Sequence, residues 1–107
     1  MTACDTMKRV AASAVTDNQE RQCFELDVAG TKAFIDYRRA GNVVTLAYAY
    51  VPPDLRGRGV GAALVAGALR LARERGEKII PECSYVAAYV ARHPRDQDLL
   101  ADRSDAR

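Results

Sequence analysis

At 107 residues the chain has room for one domain with a single buried core, and it needs neither metal nor disulfide to hold that core. Apolar residues make up 49% and charged residues 28%, the balance of a globular chain, and a formal net charge of +2 is too small to argue for nucleic acid. No apolar run approaches the roughly 20 residues of a membrane span, and three scattered cysteines with one histidine make neither a disulfide framework nor a zinc site.

Met1 to Ala12 carries Lys8 and Arg9 but no apolar core of signal-peptide length, so a reducing, cytoplasmic setting is expected. Residues 1–19 lack periodicity and read as a flexible N-terminal segment, with Lys8 to Val15 a candidate for the sheet edge. The domain proper is expected over residues 20–100, with a frayed tail over 101–107. Gln22 to Val28 alternates apolar and polar residues, as a half-buried strand does; Phe24, Leu26 and Val28 form one row, and Cys23, Glu25 and Asp27 the other. Ala29-Gly30-Thr31 is a turn into a second strand, Lys32 to Arg39, with Ala33, Ile35 and Tyr37 on one face. After Ala40-Gly41-Asn42 a third strand runs from Val43 to Val51. Its continuous apolarity predicts a central strand covered on both faces. Short glycine-containing connections make these three strands an antiparallel meander.

Pro52-Pro53 ends the third strand, because proline cannot donate to a ladder. A helix follows from about Val60 to Arg75, with Val60, Ala63, Leu64, Ala68, Leu71 and Ala72 at helical spacing and Gly76 as its stop. Lys78 to Cys83 reads as a short strand, parallel to the third because a helix crosses over between them. Ser84 is a plausible N-cap for a second helix, Tyr85 to about Arg92, stopped by His93-Pro94. The class is mixed α/β: three antiparallel strands, a crossover helix, a parallel fourth strand and a C-terminal helix.

The stretch most in need of explanation is Arg56-Gly57-Arg58-Gly59-Val60-Gly61. Three glycines at alternate positions build neither a good strand nor a helix interior. Placed ahead of a helix, they turn free N–H groups and the positive end of the helix dipole toward one spot, which is an anion site suited to phosphate. Five arginines against two acids between Pro52 and Gly76 add positive charge, whereas three arginines meet four aspartates from Arg95 onward. Residues 57–62 also fit a dinucleotide fingerprint, G-x-G-x-x-G/A, with Glu82 some twenty residues on. That reading fails because two prolines separate strand from glycine and the chain is too short for a doubly wound sheet.

The same stretch resembles the acyl-CoA signature of the GNAT superfamily, Q/R-x-x-G-x-G/A, with Arg56, Gly59 and Gly61 in the fixed positions. It is more specifically similar to small, single-domain, YjdJ-type GNAT-like proteins. Val51 to Gly61, then Pro81-Glu82-Cys83, then Tyr89 with His93-Pro94 match three of their blocks in order, so that the likeness covers roughly residues 20–100. The resemblance implies a minimal GNAT-like fold, acetyl-CoA or another acyl-CoA as co-substrate, no metal, and an unidentified amine acceptor, either a small molecule or a protein. No nucleic-acid or membrane partner is expected, and the chain would be a monomer or weak dimer. It further implies that Tyr50, Val51, Arg56, Gly57, Arg58, Gly59, Val60 and Gly61 hold the coenzyme, with backbone amides of residues 56–61 on the pyrophosphate. The third strand, splayed from the fourth near residues 48–51, would offer its freed backbone groups to the pantetheine amides.

Two catalytic candidates follow from the likeness. Cys83, at a strand end ahead of a helix, would accept the acyl group or form a mixed disulfide with CoA; the alternative is an inert small hydrophobe. Tyr89 would protonate the leaving thiolate, with a core aromatic as the alternative and Tyr85 as the substitute donor. His93 is either a base or a helix cap, and Tyr48 and Tyr50 either line the acyl slot or pack on the sheet. Relatives of this type carry H-T-E where this chain has Tyr48-Ala49-Tyr50, so the carboxylate of a general base is absent at Tyr50. Also missing are the helices that larger members insert after the first strand, which leaves the acceptor side open. Three functions stay in play: an acyl-CoA-dependent N-acyltransferase, a non-catalytic CoA-binding module, and a basic partner-binding domain.

Overall fold

The computed structural model describes residues 14–101. Five strands form one sheet in sequence order: β1 (Thr16–Asn18), β2 (Cys23–Val28), β3 (Thr31–Ala40), β4 (Val43–Tyr50) and β5 (Lys78–Pro81). The first four are antiparallel neighbours, and β5 lies parallel to β4 after a crossover through α1 (Val60–Glu74). A second helix, α2 (Ser84–Ala91), follows β5, and a 3-10 segment (Pro94–Leu99) leads to Leu100, which bridges to Ile79 on the outer edge of β5.

The alternation in the sequence becomes the two faces of this sheet. Phe24, Leu26, Ala33, Ile35, Tyr37, Val44 and Leu46 share one face and a single core with both helices: Val60, Leu64, Ala68 and Ala72 of α1, and Val86, Tyr89 and Val90 of α2. The other face, with Glu25, Phe34, Asp36, Arg38 and Tyr48, carries no helix among the described residues. Val28 and Thr31 flank a two-residue hairpin turn in which Ala29 and Gly30 both have positive φ, 52° and 85°, matching the right-handed twist of the strands; the Gly30 amide donates to Asp27 Oδ1 at 2.8 Å.

Three local expectations are corrected. β4 is the fourth strand of five, and Tyr48 on it is 52% exposed, so it is not covered on both faces. Its unbroken apolarity has another cause. Tyr37 pairs with Leu46 but Asp36 pairs with Tyr48, leaving Ala47 as an extra residue, a β-bulge. The bulge exchanges the strand's faces: Val44 and Leu46 meet the core before it, Ala49 and Val51 after it. Second, the sheet begins earlier than expected. Val15 is buried, and β1 adds an edge strand from residues assigned to the loose N-terminal segment. The rest of the candidate edge segment, residues 8–13, lies outside the described residues, as does Cys4. Third, Cys83 rather than Ser84 is the N-cap of α2, in extended conformation (φ −70°, ψ 130°). Its amide donates to Leu46 O at 3.0 Å, and that bond fixes where the helix starts.

β1 is held by charge rather than by apolar periodicity. The Asp17 side chain, 3% exposed, accepts from Tyr37 Oη at 2.6 Å and Arg75 at 2.6 Å and pairs with Arg39 at 3.5 Å. Arg39 in turn donates to Glu77 at 2.8 Å and lies over the Tyr37 ring. Burial, followed by the Asp17 contact, raises the Tyr37 hydroxyl above the usual tyrosine range.

Candidate functional site

The parting of β4 from β5 creates the site. Their ladder runs from Val43↔Lys78 to Leu46↔Pro81, and the Cys83 amide on Leu46 O closes it. Beyond this fork β4 keeps its pairing with β3 through Tyr48 and Tyr50, while its other edge has lost its neighbour. The bulge at Ala47 sits at the fork and bends the strand there.

Pro53–Leu55 forms one 3-10 turn after β4, anchored by the buried Leu55 side chain; the Leu55 amide donates to Pro52 O at 2.9 Å and the Arg56 amide to Pro53 O at 3.2 Å. Arg56 Nε donates to Val51 O at 3.0 Å, tying the loop back to the strand end. Gly57 (φ 80°) and Gly59 (φ 77°) occupy the left-handed region, which side chains rarely adopt, and a Cβ at either would meet open space. These two glycines therefore serve backbone conformation and not close packing. Gly61 is the reverse case: its Cβ would lie 2.5 Å from Tyr85 Oη, so its absence gives the phenol room.

The first intrahelical bond of α1 is Ala63 N to Gly59 O at 3.0 Å, and Gly59 provides no side-chain cap. Among the described residues, the amides of residues 57–62 have no acceptor. No acidic residue stands in the first turn of α1. The outcome is a run of free donors at the positive end of a 15-residue helix.

Fork, loop and helix mouth enclose a cleft of about 550 Å³. Residues 48–51 make one wall, residues 55–57 and 59–62 the opposite one, and Tyr85 of α2 closes it. The cleft thus gathers Tyr50, Val51, Arg56, Gly57, Gly59, Val60 and Gly61; Arg58 is exposed beside it and does not line it. Among the described residues the lining contains no aspartate, glutamate or histidine.

The two catalytic candidates are not in that lining. Cys83 is half-buried at the N-cap of α2, packed against the core. Tyr89 is 8% exposed and its ring stacks on His93, with centroids 3.9 Å apart; burial, with Asp96 adding to it, raises its hydroxyl above the usual range. His93 caps the helix, its Nδ1 donating to Tyr89 O at 2.7 Å. The tyrosine in the cleft is Tyr85, 42% exposed with its hydroxyl beside Gly61. It lies one helical turn before Tyr89, and its signal in the sequence was Gly61, one of two glycines, with Gly67, in an alanine- and leucine-rich helix.

The chain matches, over residues 23–99, the sequence model of a family described as GCN5-related N-acetyl-transferase. Among solved structures it is similar to a GCN5-like candidate N-acetyltransferase from Staphylococcus aureus, determined by NMR in solution. The two share 26% identity with a TM-score of 0.63, covering 84% of this chain and 89% of the other.

Proposed function

The chain belongs to the GCN5-related N-acetyltransferase family, and from that premise we propose that it binds an acyl-CoA in the cleft at the fork and transfers the acyl group to an amine. The observation that carries this reading is the meeting of two sets of unused backbone groups at one cleft: the free edge of β4 past Leu46, and the amides of residues 57 and 59–62, which belong to its lining. The amides, with Arg56 and Arg58 beside them, suit a diphosphate. The strand edge suits the amides of a pantetheine arm, which would add to the sheet as a further strand does.

In this reading the amine lone pair attacks the thioester carbonyl and the carbon–sulfur bond breaks. The departing sulfur takes a proton, and the nitrogen loses one to solvent, leaving an amide and free CoA. We assign the sulfur's proton to Tyr85, which lines the cleft, in preference to Tyr89, which is stacked in the core. With no carboxylate or imidazole among the described residues of the lining, catalysis rests on holding amine and thioester in register and on backbone donors of β4 polarising the carbonyl. Cys83 takes no covalent part in this mechanism.

Calorimetric titration with CoA, followed by turnover of acetyl-CoA with an amine panel, tests the proposal. Saturable binding is expected, weakened about tenfold in Arg56→Ala. Turnover should fall about 100-fold in Tyr85→Phe with the KM for acetyl-CoA little changed, and Tyr89→Phe should stay near wild type. Absence of CoA binding would overturn the reading. The missing acidic lining also favours a second one, a CoA-binding module without turnover, for which CoA binds normally and every amine is left unacylated.

A further inference from the structure

The sheet face opposite α1 and α2, which carries no helix among the described residues, meets the cleft at Tyr48. Among the described residues three large apolar side chains are strongly exposed, and two of them, Tyr48 and Tyr85, border this cleft. Beside Tyr48 on the open face, Phe34 lies 6.3 Å from its ring at 56° and 5.5 Å from that of Tyr50 at 38°. Asp36 is the cross-strand partner of Tyr48, which puts their Cβ atoms about 5 Å apart.

The carboxylates on this face divide into occupied and unoccupied. Glu25 accepts from Asn18 and Cys23 and pairs with Lys32; Glu82 is held by Arg38; Asp27 accepts the Gly30 amide. Asp36 is exposed and, among the described residues, has neither an ion pair nor a side-chain hydrogen bond. An unpaired carboxylate beside three aromatic rings is a seat for a cation, since ring faces and carboxylate both carry negative potential. An acceptor that is neutral or anionic gains nothing there.

We propose that Asp36 with Phe34, Tyr48 and Tyr50 holds a second, protonated nitrogen of the acceptor, so that the acceptor class is a short alkyl diamine. This deepens the acyl-transfer reading and rests on it. The nitrogen that attacks must be neutral, and among the described residues the cleft lining holds no carboxylate that would pair with it as an ammonium. The charge fixed at Asp36 therefore belongs to the other end of the molecule, and Tyr48, a member of both the cleft and the aromatic group, joins the two positions. In the reaction the near nitrogen first yields its proton to solvent and then forms the carbon–nitrogen bond. The carbon–sulfur bond breaks, the sulfur is protonated, and the far nitrogen keeps its proton throughout. The product is the monoacylated diamine with one positive charge fewer.

The test uses 1,4-diaminobutane against butylamine, by calorimetric binding to the full chain and by turnover with acetyl-CoA. Binding of the diamine should be about tenfold tighter than that of butylamine, with the same ratio in kcat/KM. Asp36→Asn should reduce that ratio to within about twofold of unity, and Asp36→Lys should invert it. Equal binding of the two amines by the wild type, or a preference that survives both substitutions, overturns the proposal. So does binding of both CoA and diamine without transfer between them. CoA titration of the same preparation keeps the two readings apart: its failure with the diamine preference intact removes acyl transfer and leaves the cation seat standing.

Discussion

Arginines gather at both ends of α1, and the two ends treat them oppositely. At the C-terminal end every one is matched: Arg70 with Glu74, Arg73 with Asp98 and Asp96, and Arg75 with the buried Asp17. At the N-terminal end Arg56 bonds only to a carbonyl, and among the described residues neither it nor Arg58 meets a carboxylate. The helix rises about 1.5 Å per residue, which places some 20 Å between these populations. A count of charge along residues 52–76 merges them. What separates them is pairing: positive charge neutralised by carboxylates braces the fold, and positive charge left beside unacceptored amides awaits an anion.

The braced end should yield the largest effect on stability. Asp17→Ala removes the acceptor shared by Tyr37, Arg39 and Arg75 and leaves two guanidinium groups and a buried hydroxyl short of a partner. A loss of about 3 kcal/mol is expected in urea unfolding, while affinity for CoA stays as in the wild type. A loss of CoA affinity at unchanged stability would erase the distinction between the two ends.

The next effect is alkaline. Cys23, 5% exposed on β2 beside β1, has its thiol pushed up to about 11, chiefly by burial and then by the Glu25 hydrogen bond. The folded state therefore holds this proton more tightly than the unfolded chain. The stabilisation is complete below about pH 9 and is lost as pH rises toward 11, a decline of about 2 kcal/mol. Tyr37, also raised, adds a loss in the same direction at higher pH. Unfolding free energies at pH 8, 9, 10 and 11 should fall steeply for the wild type and less so for Cys23→Ala. Parallel curves would mean that the thiol titrates alike in both states.

Much of the fold could be read from periodicity, and the reasons for the rest are physical. β2 and β3 alternate cleanly, and the apolar stripe of α1 returns in its buried residues. The glycine loop was legible because Gly57 and Gly59 adopt a conformation that other residues rarely take. β1 was not, since three polar residues carry no period and only the middle one, Asp17, is tied by ion pairs, to Arg39 and Arg75 far along the chain. Nor was the bulge, because Ala47 differs in nothing from its neighbours in the sequence and becomes extra only through the register with β3. Which of Tyr85 and Tyr89 borders the cleft turns on one helical turn, and so on where α2 begins, next to the bond from the Cys83 amide to Leu46 O.

The smallest effect on stability should accompany a clear effect on activity, at Gly61. In Gly61→Ala the new methyl meets only the far end of the Tyr85 side chain, which is exposed enough to swing away. Alanine also improves on glycine inside a helix by up to about 1 kcal/mol, which offsets the lost contact, so the melting temperature should barely move. If Tyr85 donates the proton, displacing its hydroxyl should reduce kcat toward that of Tyr85→Phe, and the double variant Gly61→Ala/Tyr85→Phe should be no slower than either alone. A double variant that is slower by the product of the two effects would mean that Gly61 and Tyr85 act independently. The close approach of phenol and helix mouth would then be packing at the entrance of the cleft, with no part in the chemistry.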